Sequence, residues 1–95
     1  MPILDKIVTK IIREQELIVG PLAWSEAEKV QGLRIVDRLK GEVTFSDSDQ
    51  KGVINKLVGR YERFFGQASH EVCREAVAGM LAELAPSDIP SSLMS

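Results

Sequence analysis

His70 and Cys73 are the pair of residues in this sequence whose types and spacing most suggest catalytic chemistry. Three residues apart on a helix, an imidazole and a thiol are neighbours, and a nucleophile–base pair requires such a contact. Cys73, however, falls within the paired apolar pattern Val72-Cys73, Ala76-Val77. Because a buried structural cysteine is the commoner arrangement, we expect Cys73 to be structural and the protein not to be an enzyme.

Metal and cofactor sites are disfavoured by the residue count. The sequence has one His and one Cys, whereas a structural zinc site needs four nitrogen or sulfur ligands. The acidic cluster Asp47-Ser48-Asp49 lacks the downstream Glu of an EF-hand loop and is better explained as helix capping. A Gly-rich phosphate loop of the required spacing is also missing. We therefore expect no metal and no cofactor.

The polar side of the third predicted helix carries four basic residues, a possible face for anions or nucleic acid: Lys51, Lys56, Arg60 and Arg63. With the helix that follows, the segments 47–65 and 69–85 resemble a helix-turn-helix, whose second helix would enter the major groove. The start of that second helix carries no net positive charge, which phosphate binding would require. The acidic pI of about 5.4 also differs from the usual basic footprint. DNA binding is therefore the alternative prediction, and specific nucleic-acid binding is not expected.

Composition predicts one globular domain in a reducing compartment. The 95 residues are 44% hydrophobic and 27% charged, with a net charge of −2, close to the globular average. A lone cysteine cannot form an intramolecular disulfide and favours a cytoplasmic location. Charged residues interrupt any signal-peptide core near the start of the chain, and the longest uncharged stretch, 17–25, is too short to cross a bilayer. We expect no membrane association.

The first predicted helix, 3–18, has a wide apolar face of paired residues that ends with Leu17-Ile18. Its first part is long for a small domain and is our candidate partner face: Ile3, Leu4, Ile7, Val8 and Ile11. A second helix is expected to start near Trp24-Ser25, with Ser25 as its N-cap. Residues 33–37 and 42–46 are predicted as a β-hairpin. The alternative for this region is a single helix over 25–40, which would make the domain all-α.

The last two predicted helices are bounded by capping residues, glycine and proline. Ser46 with Asp49 resembles a capping box at the start of helix 47–65, and Gly66 ends that helix. The final helix, roughly 69–85, is expected to begin at Ser69 or nearby and to stop before Pro86. Residues 86–95 are predicted to be a flexible tail. Its apolar residues are Ile89, Leu93 and Met94.

These observations predict a mostly helical α+β domain over residues 1–85, in the order helix, helix, β-hairpin, helix, helix. A two-stranded sheet is marginal alone and leaves both edges free. Since twofold dimers are the commonest soluble oligomers, we expect self-association through the hairpin or the first helix, or binding to another protein. The expected function is that of a small, non-catalytic interaction or regulatory module.

Overall fold

A computed structural model describes residues 3–93. Within that range, the predicted α+β, mostly helical architecture and its order of elements are confirmed. In chain order, the elements are α1 (Ile3–Val19), α2 (Leu22–Glu28), β1 (Leu33–Asp37), β2 (Glu42–Phe45), α3 (Gln50–Phe65) and α4 (Gln67–Leu81). Two short 3₁₀ turns follow, Pro86–Asp88 and Ser91–Leu93. Met94, predicted as an apolar residue of the tail, lies outside the described residues.

Helix α1 lies at the centre of the fold, where α4, α2 and β2 pack against it. Ile7, Val8 and Ile11 are fully buried in the core of the single chain, and Ile3 and Leu4 are half-buried against it. This corrects the prediction of a partner face on α1. The chain's own elements already cover the apolar side chains, because the i, i+4 spacing directs them inward.

The hairpin predicted over the rival helix is present. β1 and β2 pair antiparallel, with Ile35 opposite Val43. Leu33 and Val43 are buried, while Arg34 and Thr44 face outward, the alternation expected of a strand with one covered face. Gly41 closes the turn with a φ of 70°, a left-handed conformation that glycine adopts readily.

Helix α2 begins earlier than predicted. It starts at Leu22, directly after Gly20-Pro21, and Gly20 has a φ of 73° that permits the tight turn from α1. Ser25 is therefore not the N-cap, and its hydroxyl donates instead to the Pro21 carbonyl oxygen at 3.5 Å. The early start buries Trp24 in the core.

The helix starts of α3 and α4 also differ from the predictions. Asp49 is the N-cap of α3, and its carboxylate accepts a hydrogen bond from the Gly52 N–H at 3.1 Å. Gly66 ends α3 as predicted and immediately precedes α4, which begins at Gln67. Ser69, the expected start, is instead buried within the first turns of α4.

Residues 86–93 pack against α3 and α4 instead of extending away as a flexible tail. The Ser92 N–H and hydroxyl both donate to Oδ1 of Asn55 on α3, at 2.9 and 2.6 Å. Leu93 is buried in the core and Ile89 is half-buried. The packed domain therefore continues past residue 85, the boundary predicted from Pro86.

Candidate functional site

His70 and Cys73 are neighbours on α4, but their side chains bind different partners. The Cys73 sulfur is fully buried and accepts a hydrogen bond from the Gln15 side-chain amide at 3.3 Å. Burial raises the pKa of the Cys73 thiol to about 11, so little thiolate exists at neutral pH. The arrangement is that of a packed thiol, and it offers no activated nucleophile.

The His70 imidazole connects the last described residues to α3. Its Nε2 donates to the Ser92 carbonyl oxygen at 2.6 Å, and its Nδ1 lies 3.2 Å from a Glu62 carboxylate oxygen. The Ser92 carbonyl, followed by the Glu62 carboxylate, raises the pKa of His70, and partial burial opposes that shift. This residue therefore stabilises the packing of residues 91–93 against the domain.

Three of the four predicted basic residues line one shallow groove of about 260 Å³ on α3, together with an aromatic ring. Lys56, Arg60 and Arg63 lie along this groove, and the guanidinium carbons of the two arginines are 5.0 and 5.8 Å from the Phe64 ring centroid. Lys51 is separate, because its ammonium donates to the Ser87 carbonyl oxygen at 2.5 Å.

Arg60 is partly neutralised by α2. Its Nε donates to a Glu26 carboxylate oxygen at 2.7 Å, and both side chains are largely sheltered from solvent. The hydrogen bond from Arg60 is the main reason that the pKa of Glu26 lies below its ordinary value. Lys56 and Arg63 are left as the cations exposed to solvent in this groove.

Helix α4 does not present a basic surface of the kind expected for a recognition helix. Its inner side packs against α1 and α3, and its outer side carries Glu71 and Glu75. Arg74 pairs with Glu71 at 2.8 Å. Because an acidic surface repels phosphates, this geometry does not favour the alternative prediction of helix-turn-helix DNA binding.

Four large apolar side chains at the end of α1, the start of α2 and the end of α3 are more than half exposed: Leu17 (80%), Ile18 (56%), Leu22 (54%) and Phe64 (53%). We term these four residues the end patch. Ile18 and Leu22 flank the tight turn at Gly20-Pro21. Large apolar side chains exposed to solvent in one region are typical of binding surfaces.

Contacts between α2 and α3 bring Leu22 and Phe64 to the same region. Ala23 accepts a hydrogen bond from the Tyr61 hydroxyl at 2.7 Å, and Glu26 pairs with Arg60. Residue numbers increase along α2 as they decrease along α3, so the two helices run antiparallel where they touch. Leu22 lies one turn before Glu26, and Phe64 lies one turn after Arg60. Both residues therefore lie toward the same end of the contact between α2 and α3.

Sequence reasoning missed the end patch because it assigned Leu17-Ile18 to the apolar face of α1. The buried face continues instead through Gln15, which is fully buried, to the partly buried Val19. Successive steps of four from Ile11 give 15 and 19, whereas Leu17 lies six positions from Ile11 and points elsewhere. Helical phase could therefore have revealed the exposure of Leu17. Ile18 lies seven positions from Ile11, on the same helix face, so phase does not explain its exposure.

Leu39 and Val36 form a second, smaller exposed apolar feature at the hairpin. Leu39 is 93% exposed at the turn and Val36 is 58% exposed on β1. The turn is shaped by the Asp37 carboxylate, which accepts hydrogen bonds from the N–H groups of Leu39 and Lys40. Scattered apolar side chains of this kind are common on protein surfaces.

Neither a metal cluster nor a spanning helix is found in residues 3–93. No three His, Cys, Asp or Glu side chains in that part of the chain are grouped so that they could hold a metal ion. None of the helices described there combines the length and the apolar character needed to span a bilayer.

The fold defines a small, mostly helical α+β domain, whose described residues include exposed apolar side chains on α1, α2 and α3 and a basic groove on α3. No protein-family model matches the chain, and comparisons with curated proteins and with solved structures find no match either.

Proposed function

We propose that this protein is a non-catalytic interaction module that self-associates through the end patch. The observation that carries the proposal is the exposure of Leu17, Ile18, Leu22 and Phe64 at one end of a domain whose remaining large apolar residues are mostly packed. Full burial of one such side chain contributes about 1.5–3 kcal/mol. A twofold interface would cover the patch on both copies.

A second copy is the partner that the charges beside the patch favour. Glu16 precedes Leu17 and is exposed, and Arg63 precedes Phe64 and is exposed. In a twofold dimer the same surface meets itself, so the acidic side of one copy can face the basic side of the other. Complementary charges at the rim set the orientation and increase the association rate. A different protein with an apolar, mixed-charge surface is the alternative partner.

This proposal moves the expected interface from the first part of α1 to its end. The earlier candidate residues are covered by the chain itself, whereas Leu17 and Ile18 are not. A cytoplasmic location is consistent with a free, buried Cys73, since cytosolic thiols stay reduced, and it is part of the same proposal.

Substitution of exposed apolar residues tests the proposal without disturbing the core. We would compare Leu17→Glu and Leu22→Glu with the matched control Leu39→Glu, which changes a more exposed leucine at the hairpin turn. Mass would be measured by size-exclusion chromatography with light scattering, and folding by circular dichroism. The two patch variants are expected to be folded monomers, and the Leu39 variant is expected to remain a dimer.

Two outcomes would overturn the assignment. If the patch variants kept the dimer mass, the interface would lie elsewhere. If Leu39→Glu dissociated the dimer as effectively as Leu17→Glu, the hairpin, one of the two interfaces predicted from the sequence, would take part in the association.

A further inference from the structure

A groove of about 510 Å³ lies between α1 and the start of β2, on the part of α1 that precedes the end patch. Its lining consists of side chains of α1, the first residues of β2 with the preceding Gly41, and Met80 of α4. We term it the α1–hairpin groove. Its volume is within the range of small-molecule sites.

Contacts between α1 and Gly41 fix the position of the hairpin turn beside the groove. The Thr9 hydroxyl donates to the Gly41 carbonyl oxygen at 2.7 Å, which fixes the hairpin turn against the helix. The Arg13 guanidinium lies over the same glycine, where an added Cβ would collide with it and with the Thr9 methyl group. Gly41 therefore permits the close approach of Arg13 as well as the left-handed turn.

Cations follow one side of α1 along the groove. Lys6, Lys10 and Arg13 are spaced i, i+4, i+7, so they lie on one helix face. Across residues 3–93, Lys6 and Arg13 form no ion pair. Lys10 is 3.4 Å from Glu14 in an exposed pair, which contributes little.

Two carboxylates also border the groove, but one of them has a structural explanation. Asp5 lies in the first turn of α1, where a negative charge stabilises the positive end of the helix dipole. Glu42 is exposed at the start of β2. With Glu14, the partner of Lys10, three cations balance three carboxylates, and Lys6 and Arg13 are the lining cations without an ion pair in residues 3–93. Of these two, Arg13 has the planar set of donors that suits a carboxylate.

Val43 and Met80 are the apolar residues that line the groove. A guanidinium beside apolar side chains suits a ligand with one anionic group and an aliphatic portion. We propose that the α1–hairpin groove binds a small aliphatic carboxylate, with its carboxylate on Arg13 and its hydrocarbon on Val43 and Met80. This goes beyond the proposed self-association and does not depend on it.

Octanoate is the probe, and three related compounds separate the contributions of charge and chain. Octanoate carries both features, 1-octanol lacks the charge, acetate lacks the chain, and octylammonium reverses the charge. Binding to the full chain would be measured by amide chemical-shift titration. Octanoate is expected to bind at least about tenfold more tightly than any of the other three, with shifts centred on Thr9, Gly41 and Val43.

Variants then test the role assigned to the arginine. Arg13→Gln is expected to weaken octanoate binding about tenfold or more. The control Arg34→Gln changes an exposed arginine on β1 outside the groove and should leave the affinity unchanged.

Three results would overturn the proposal: equal binding of octanoate and 1-octanol, no saturable octanoate binding at millimolar concentration, or an unaltered affinity in Arg13→Gln. Shifts centred on Leu17 and Phe64 would also contradict it, because the probe would then adsorb on the end patch. The patch variant Leu17→Glu keeps the groove intact and separates this failure from any failure of self-association.

Discussion

The side chains of Gln15 and Leu17 are only two residues apart on α1, yet Gln15 is fully buried and Leu17 is 80% exposed. Two residues rotate an α-helix by about 200°, so the two side chains point in nearly opposite directions. The end of α1 thus buries an amide and exposes a leucine. Local departures from the usual polar-out pattern are expected where a surface has a function.

Gln15 should tolerate an apolar substitution better than a charged one. Its amide nitrogen donates to the Ser69 carbonyl oxygen at 2.8 Å, while its carbonyl oxygen Oε1 has no hydrogen-bond partner in the described part of the chain. Gln15→Met removes that unsatisfied oxygen and should change the free energy of unfolding by less than about 1 kcal/mol. Gln15→Glu buries a charge and should cost at least about 3 kcal/mol at neutral pH.

Urea denaturation of these two Gln15 variants provides the measurement. Equal losses of stability in both would show that the amide contact with Ser69, and not the buried oxygen, determines the energetics of this site.

Cys73 should react slowly with thiol reagents in the folded protein. Burial raises its pKa from 9.0 to about 11, which alone lowers the thiolate fraction about one hundredfold at pH near 8. Steric protection by α1 will slow the reaction further. Labelling by a chromogenic disulfide before and after unfolding in urea checks this, and similar rates in both states would be incompatible with the described burial.

His70 should make the packing of residues 91–93 dependent on pH. The Ser92 carbonyl and the Glu62 carboxylate raise its pKa in the folded state. The protonated imidazole therefore stabilises the fold below the unfolded pKa of about 6.5, and this contribution is lost as the pH rises through the folded pKa. The effect is expected to stay below about 1 kcal/mol, because the site is partly exposed.

The matched variant for this test is His70→Gln, which keeps a donor but does not titrate. The stability difference between the wild-type protein and the variant should be larger at pH about 5.5 than at pH about 8.5. A difference that did not change with pH, or an imidazole pKa at or below its ordinary value by NMR, would contradict the arrangement.

The N-cap of α3 provides a further contrast between two nearby residues. Asp49→Ala removes the acceptor for the Gly52 N–H and should destabilise the protein by about 1 kcal/mol. Ser46→Ala should have a much smaller effect, because Ser46 contributes its backbone N–H to the Gly32 carbonyl oxygen at 2.8 Å. Thermal unfolding of both variants measures which substitution destabilises the protein more. A larger loss of stability in Ser46→Ala would indicate that Ser46 is the N-cap of α3.

Much of the fold follows from features that act locally along the sequence. The paired apolar residues of α1, the strand chemistry around Val43 with Gly41, and the helix end at Gly66 each identify their element. Each of these signals, a residue's backbone preference or an apolar periodicity, can be recognised within one short segment of the sequence.

The features that could not be predicted depend on contacts between distant segments. Ser92 meets Asn55 across 37 residues, and nothing in the Pro- and Ser-rich composition of that segment indicates the contact. Ser69 was expected near the start of α4, but its buried position beside Gln15 results from the packing of α1 on α4.

The candidate site was predicted only in part. Three of the four basic residues share a groove because their spacing on α3 is local, while Lys51 was separated by a contact with Ser87. Phe64 was assigned to the apolar face of α3, although Tyr61 and Phe65 fill the inner positions. Its exposure depends on how α2 and α3 are arranged, which the sequence does not encode in any one segment.

Sedimentation equilibrium of the wild-type protein tests the central claim most directly. Self-association through the end patch predicts an average mass that rises with concentration from the 10.5 kDa of one chain toward twice that value. If the charges at the rim of the interface contribute, the dimer will dissociate at higher protein concentrations in high salt than in low salt. A constant mass of one chain at hundreds of micromolar would contradict the proposed function.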